Sequence, residues 1–157
     1  MSYELAASSW GQEELDAIQR VISSDRLTMG AEVTALEEEF AAWHDMKYGI
    51  MVNSGSSANL IAVASLAYKN DNPLQRGDEV IVPGFTYIAP AEAVAILGGI
   101  PVYVDVLPET YNIDYSQIEA AISNRTKAII AVSLYGQCPD FDAINAIAQK
   151  YGLAVIE

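Results

Sequence analysis

The sequence is poor in cysteine and in basic residues, and both shortages narrow the classes of protein that it can encode. Cys138 is the only cysteine among the 157 residues, so no disulfide can form within the chain and a reducing compartment is expected. Eight basic residues stand against 21 acidic ones, for a formal net charge of −13. This surplus of negative charge disfavours a nucleic-acid backbone or an anionic membrane as a partner.

Long apolar runs and histidines are scarce as well. No window comes near the roughly 20 apolar residues that a membrane-spanning helix needs. The first residues carry neither the basic segment nor the apolar core of a secretory leader, so we expect a cytoplasmic protein. His44 is the only histidine and has no histidine or cysteine neighbour in the sequence, so no metal site is predicted.

One segment rich in small residues stands out, residues 53–59 (Asn-Ser-Gly-Ser-Ser-Ala-Asn). It follows an apolar run at 48–52 and precedes a helix-like segment, so the order is strand, tight turn, helix. Free N–H groups at a helix N-terminus, with serine hydroxyls beside them, suit a phosphate group. The alternative is that the serines only cap the helix.

The phosphate-binding motifs of nucleotide enzymes are missing from this segment. There is no G-x-x-x-x-G-K-[ST], since no lysine follows Gly55 at the required spacing, and no G-x-G-x-x-G. A nucleoside triphosphate or a dinucleotide is therefore disfavoured. A single phosphate on a small cofactor fits the segment better.

The remaining chain alternates short, continuously apolar strands with helices, which is typical of a mainly parallel sheet covered on both faces. We expect an α/β three-layer sandwich in residues 47–157, preceded by a helical lead-in over 1–46. Predicted helices begin near Ser9 and cover 31–43, 60–69, 86–97, 115–123 and 141–151; predicted strands cover 48–52, 80–82, 100–105, 126–133 and 152–156.

Three side-chain predictions accompany these elements. In the helix over 31–43, the residues Val33, Leu36, Phe40 and Trp43 are expected to face inward, and Glu37 to Glu39 to face solvent. Thr86 is expected to cap the helix that contains Pro90. Tyr87 follows the strand at 80–82 and lies at the carboxyl edge of the sheet, where ligands bind in open α/β sheets, although a core aromatic would fit the position equally well.

A set of motifs in colinear order resembles the nucleotide-sugar aminotransferase family, pyridoxal-phosphate enzymes of the aspartate-aminotransferase fold type. The match covers nearly the whole chain. Its motifs are residues 30–33, 36–41, 53–60, 77–83, 86–87, 101–106, 111–114, 134–136 and 155–157.

The resemblance implies the N-terminal part of the large domain of a fold-type-I transferase that depends on pyridoxal 5'-phosphate (PLP). It implies that Gly55, Ser56 and Ser57 bind the cofactor phosphate and that Tyr87 stacks on the pyridine ring. It also implies a nucleotide-linked keto-sugar as substrate, glutamate as the amino donor, a homodimer, and a role in polysaccharide biosynthesis.

The sequence departs from the family at its end. In the family an Asp that pairs with the ring nitrogen follows Val-Ile-Glu directly, and the Schiff-base lysine lies further on. Both are expected beyond Glu157, so the 157-residue chain is expected to be a truncated and inactive part of the enzyme, with no catalytic residue of its own. None of its lysines is at a suitable place: Lys47, Lys69, Lys127 and Lys150.

Two other functions remain open. A PLP-dependent sugar 3-dehydrase shares the fold and carries His in place of the lysine. The sequence of residues 53–59 resembles that branch at least as well as it resembles the aminotransferases. The second alternative is a non-catalytic fragment or binding module that uses the same scaffold.

Overall fold

A computed structural model describes residues 7–157, and the first six residues, on which the expectation of no secretory leader depends, lie outside it. The chain divides into two compact units, Met1–Met51 and Val52–Glu157. We describe each unit by itself. Within the described residues, no helix is both long and apolar enough to cross a bilayer.

The described residues of the first unit, 7–51, form two helices, α1 (Gln12–Ser23) and α2 (Ala31–Trp43). The start of α1 is closed by Glu14, whose Oε2 accepts a hydrogen bond from the Gly11 N–H at 2.6 Å. That bond lowers the pKa of the Glu14 carboxyl, because it favours the charged form. The bounds of α2 are those that the sequence predicted.

The predicted inward face of α2 is wrong for most of its members. Leu36, Phe40 and Trp43 are exposed, Trp43 to 86%, and Ala41 is the buried residue of this helix. Helical spacing identifies which side chains share a face, but it does not say what covers that face. The acidic run 37–39 is solvent-exposed only in part. Glu38 and Glu39 are exposed as predicted, whereas the Glu37 carboxylate is half-buried and accepts a hydrogen bond from the Met51 N–H at 2.8 Å.

The strand predicted at residues 48–52 does not form among the described residues. A strand needs a neighbour for its N–H and C=O groups, and no described strand pairs with this segment. Instead Gly49 packs against the backbone of Glu37 so closely that a Cβ would lie 2.5 Å from the Glu37 carbonyl oxygen. Only glycine fits this approach.

The second unit is a parallel α/β sheet, and it confirms the predicted fold class. Its four strands lie in the order β2-β1-β3-β4 and every neighbouring pair is parallel. The elements are α3 (Gly55–Leu66), β1 (Glu79–Pro83), α4 (Ala89–Ile96), β2 (Ile100–Val104), α5 (Tyr115–Ala121), β3 (Thr126–Ile130), a 3-10 turn (Leu134–Gly136), α6 (Phe141–Tyr151) and β4 (Ala154–Ile156).

Two apolar cores, one on each face of the sheet, make the three layers. Alternate residues of the central strands point to opposite faces, as the pleat requires. Val80 and Ile130 belong to the core shared with α3 and α4, whereas Ile81 and Ile129 belong to the core shared with α5 and α6. All five residues of β1 are buried, which explains why Val80 to Pro83 are apolar without a break.

Several boundaries differ from the predicted ones. Strand β3 ends at Ile130 rather than Ser133, and α5 ends at Ala121 rather than Ser123. Helix α4 begins at Ala89 with no side-chain cap, so the prediction that Thr86 caps it is wrong. With Thr86 as cap, Pro90 would occupy the fourth helical position, where its missing N–H leaves a carbonyl unpaired. In the structure Pro90 is in the first turn, where this cost disappears.

A buried carboxylate joins β1 to the start of β3 at the amino edge of the sheet. Glu79 is 6% exposed; its Oε2 accepts from Ser123 Oγ at 2.5 Å and its Oε1 from Arg125 Nε at 3.1 Å. Thr126 Oγ1 contributes a longer bond of 3.4 Å. The Ser123 hydroxyl first, and then the Arg125 guanidinium, lower the pKa of the Glu79 carboxyl.

We predict that Glu79→Gln lowers the free energy of unfolding by about 1–3 kcal/mol at neutral pH, because Ser123 and Arg125 then donate to a neutral acceptor in place of a charged one. Since the folded pKa lies below the ordinary glutamate value, the wild-type advantage is present at neutral pH. It is lost as the pH falls from the ordinary glutamate pKa through the folded one. Urea denaturation at neutral and acidic pH measures both effects.

The matched control is Glu109→Gln, at an exposed glutamate in the loop after β2. It should leave the free energy of unfolding unchanged within about 0.5 kcal/mol. A deficit of Glu79→Gln that does not shrink in acid would contradict the role of the carboxylate charge.

Candidate functional site

The connections of the sheet open a crevice at its carboxyl edge. Strand β1 continues into α4 on one face, whereas β3 continues into α6 on the other. Because the chain leaves these neighbouring strands in opposite directions, the space above their carboxyl ends stays open, and ligands of open α/β sheets bind at such a point. A cavity of about 490 Å³ lies here.

Three stretches of chain and Glu157 line this cavity. The lining comprises Ser54, Gly55, Ser56 and Asn59 from the start of α3; Thr86, Tyr87, Ala89 and Pro90 after β1; Ile130, Ala131, Val132 and Ser133 at the end of β3; and Glu157 after β4. The structure thus brings the small-residue segment to the sheet edge where Tyr87 also lies.

The start of α3 has a serine cap, followed by backbone N–H groups without acceptors among the described residues. Ser54 is the N-cap, and its Oγ accepts from the Ser57 N–H at 3.2 Å. The Ala58 N–H bonds the Ser54 carbonyl at 3.0 Å. The N–H groups of Gly55 and Ser56 have no acceptor among residues 7–157, so one serine caps and the next two backbone donors remain free.

Ser57 is placed differently from its two neighbours. Its hydroxyl donates to Asn53 Oδ1 at 2.6 Å, and it is not among the residues that line the cavity. Gly55 and Ser56 do line it. A Cβ built on Gly55 would meet no atom within 4 Å, so the backbone at this position is open to a ligand.

Tyr87 lies on the cavity wall, in the bend between β1 and α4. Its side chain is 71% exposed, so the alternative of a core aromatic is wrong. An exposed ring beside free backbone donors can stack on a flat ligand whose anionic group is held at the helix start.

Sequence reasoning missed four polar residues of the lining: Asn59, Thr86 as a wall residue, Ser133 and Glu157. Asn59 could have been found, because it is one helical turn beyond Gly55; its Nδ2 donates to the Gly55 carbonyl at 3.0 Å. Ser133 Oγ donates to Glu157 Oε1 at 3.3 Å. The sequence signal for Ser133 and Glu157 is weaker, because it is only that each is a polar residue at the carboxyl end of an apolar strand.

The described lining of the cavity contains no lysine. Lys127 is at the amino end of β3, where its Nζ lies 3.9 Å from Asp78 Oδ2 and bonds Asn72. Lys150 is in the last turn of α6 and bonds Glu119 at 3.0 Å; this bond raises the pKa of the ammonium. Lys69 is exposed just after α3, and Lys47 belongs to the first unit.

The family model of the DegT/DnrJ/EryC1/StrS aminotransferases matches residues 8–157. The chain therefore belongs to this aminotransferase family, which confirms the resemblance drawn from the motifs.

Curated relatives share this region. The chain is 54% identical over 147 residues to UDP-2-acetamido-2-deoxy-3-oxo-D-glucuronate aminotransferase of Pseudomonas aeruginosa, which covers 93% of this chain and 39% of that one. It is 40% identical over 157 residues to GDP-4-keto-6-deoxy-D-mannose 3-dehydratase of Yersinia pseudotuberculosis, covering 100% of this chain and 40% of the relative.

A solved structure agrees with the fold. The Escherichia coli GDP-4-keto-6-deoxy-D-mannose-3-dehydratase with bound hydrated PLP superposes with a TM-score of 0.90 at 37% identity, covering 98% of this chain and 40% of that one. The chain thus spans about 40% of the length of the relatives that it matches.

The start of α3 yields a prediction that separates capping from ligand binding. Ser54→Ala should lower the free energy of unfolding by about 1 kcal/mol, because the Ser57 N–H loses its acceptor. Ser56→Ala should change it by less than about 0.5 kcal/mol, since the Ser56 hydroxyl has no partner among the described residues. Chemical denaturation of both variants measures the difference; equal losses would contradict this division of roles.

Proposed function

We propose that this chain forms the PLP-binding part of an aminotransferase that converts a nucleotide-linked keto-sugar into an amino-sugar. One observation carries the proposal: the cavity at the carboxyl edge has free N–H groups at the start of α3 and an exposed aromatic ring, Tyr87, on its wall. Family membership supports the same chemistry.

The residues present fit the cofactor. The cavity, at about 490 Å³, is within the range of about 300–1,000 Å³ that is usual for small-molecule sites. The Gly55 and Ser56 N–H groups and the positive end of α3 suit a phosphate, and the absence of a side chain at Gly55 lets it approach the backbone. The chain's surplus of negative charge does not oppose this, because these donors act at short range.

Each residue then has a separate task. Gly55 and Ser56 hold the phosphate through backbone donors, the Ser56 hydroxyl adds a further bond, and Ser57 keeps Asn53 and the cap in place. Tyr87 holds the plane of the pyridine ring. The apolar wall at Ala131 and Val132 excludes water from it. When bound, PLP supplies an electron sink for moving an amino group.

The remaining parts of the reaction lie outside these residues. We propose that the lysine which holds the cofactor, and the Asp that pairs with its ring nitrogen, belong to sequence after Glu157, since the relatives are longer and the described cavity contains no lysine. The substrate is a nucleotide keto-sugar, as the names of the relatives suggest, and glutamate is the amino donor.

The setting of the enzyme is proposed on similar grounds. We place it in the cytoplasm, where the single cysteine stays reduced, and in polysaccharide biosynthesis. A homodimer would cover exposed apolar side chains such as Phe40 and Trp43 of α2.

A sugar 3-dehydratase is the second candidate, and the identity of 40% along the whole chain to such an enzyme favours it. The two differ in the residue expected beyond Glu157, lysine for amino transfer and histidine for deoxygenation. A non-catalytic binding module is the third, for which the 43% identity to a pleiotropic regulatory protein of Geobacillus stearothermophilus gives some support.

We predict that the purified chain binds PLP and that Tyr87→Ala weakens the binding about two- to tenfold, whereas Tyr87→Phe does not, because the ring alone stacks. Pyridoxal, which lacks the phosphate, should bind more weakly than PLP. The circular dichroism that the protein induces in the cofactor band, measured during titration, gives the affinities. Tyr68→Ala, at an exposed tyrosine outside the cavity, is the control. No retained PLP, or equal effects at Tyr87 and Tyr68, would refute the proposed site.

A further prediction concerns the reading frame. The coding sequence should continue past Glu157 with an Asp and, further on, a lysine. Replacement of that lysine by alanine in the complete protein should abolish amino transfer from glutamate to the keto-sugar. A histidine at that position would establish the dehydratase instead. A stop codon, together with an intact mass of 16.9 kDa, would leave the binding module.

A further inference from the structure

Three aromatic side chains pack together at the carboxyl edge of the sheet, each in the connection that follows a different strand. Phe85 lies in the bend after β1, Tyr111 in the loop after β2, and Tyr135 in the 3-10 turn after β3. The ring centroids of Phe85 and Tyr111 are 5.4 Å apart, and those of Tyr111 and Tyr135 are 6.2 Å apart, edge to face. Both distances are typical of attractive aromatic pairs, so Tyr111 is the ring that joins the other two.

This aromatic cluster, Phe85, Tyr111 and Tyr135, is beside the cavity rather than in its wall. None of the three is among the described residues that line the cavity. However, Phe85 is two residues before Tyr87, and Tyr135 is two residues after Ser133, and both Tyr87 and Ser133 line it. The cluster therefore ties together the two segments of chain that place these wall residues.

Tyr111 has a backbone conformation that bulky residues rarely adopt. Its φ is 59°, in the left-handed region, and the φ of Tyr135 is 55°. The loop holds Tyr111 in place, because its N–H donates to the Leu107 carbonyl at 2.7 Å and the Leu107 N–H donates to the Asn112 carbonyl at 2.8 Å. Asn112 is only 3% exposed, so the end of this loop is anchored in the fold. Such strain persists only where the surroundings enforce it, and it is concentrated at functional sites.

We propose that Tyr111 is a positioning residue of the cavity: its contacts with Phe85 and Tyr135 hold the bend after β1 and the turn after β3 at a fixed spacing. The bend needs such support, since the N–H groups of Phe85, Thr86 and Tyr87 have no acceptor among residues 7–157. A contact outside the cavity thus places the ring of Tyr87 for stacking. The inference rests on the proposed function, because it takes the cavity to be a PLP site.

The first test separates the ring contacts from the stability of the fold. Tyr111→Asn removes the ring but leaves a residue that tolerates positive φ, so the urea midpoint should stay close to that of the wild type. The affinity for PLP should fall about two- to tenfold, the size of an aromatic-pair contribution. Tyr111→Phe keeps the ring and should retain the wild-type affinity. Tyr68→Asn, at an exposed tyrosine outside the cluster and the cavity, is the matched control.

The second test needs no cofactor. The Gly136 and Gln137 N–H groups donate to carbonyls within the turn after β3, at 3.3 and 3.1 Å. If Tyr111 holds this turn through Tyr135, Tyr111→Asn should speed amide hydrogen exchange at both positions about two- to tenfold, whereas Tyr111→Phe should not. Exchange at Ile81, in the buried strand β1, should be the same in all variants. Residue-resolved exchange measured by NMR gives these rates.

A double-mutant cycle with Phe85→Leu tests the route of the effect. Because Tyr111 reaches the bend after β1 through Phe85, Tyr111→Asn should change the affinity for PLP much less in the Phe85→Leu chain. Additive effects, a loss of affinity that only accompanies a lower urea midpoint, or unchanged exchange in the turn would overturn the inference. If the wild-type chain binds no PLP, the proposed function fails, and the exchange rates still decide whether Tyr111 holds the turn.

Discussion

The pairing of β1 with β3 is the constraint on which the second unit depends. These central strands are buried on both faces, and their alternate side chains supply both apolar cores. The helices that follow these two strands pack on opposite faces of the sheet. The pairing of β1 with β3 therefore determines which helices cover each face, and it leaves a crevice between the two connections at the carboxyl edge. The cavity is a consequence of topology, and its chemistry comes from the few residues placed on its rim.

The residues that could be predicted from the sequence are those whose signal is local. The small-residue segment before α3 marks a helix start with free N–H groups, and helix bounds such as Ala31–Trp43 and Phe141–Tyr151 follow from periodicity and flanking residues. The continuous apolar run Val80–Val82 within β1 marks a buried parallel strand. Tyr87 could be assigned to the sheet edge because it lies in the short connection after β1, which ends at Pro83.

What could not be predicted depends on neighbours distant in sequence. Ser133 and Glu157 meet at the rim of the cavity because β3 and β4 are adjacent in the sheet. The identity of neither residue predicts the order of the strands. The apolar spacing of α2 was clear, yet Trp43 is exposed, since periodicity does not identify what packs against a face. The segment 48–52 has the composition of a strand but no described partner, so it forms no ladder.

The bond between Glu79 and Ser123 spans 44 residues, and this separation bears on the order in which the unit folds. Strand β2 and helix α5 lie between the two central strands, so the ladder of β1 with β3 closes a long loop, whereas α4 links β1 to β2 over a shorter one. Long-range closure costs chain entropy before any contact repays it, which makes such pairings slow. The crevice lies above the carboxyl ends of both strands, so it can form only once β1 and β3 have paired across this long separation.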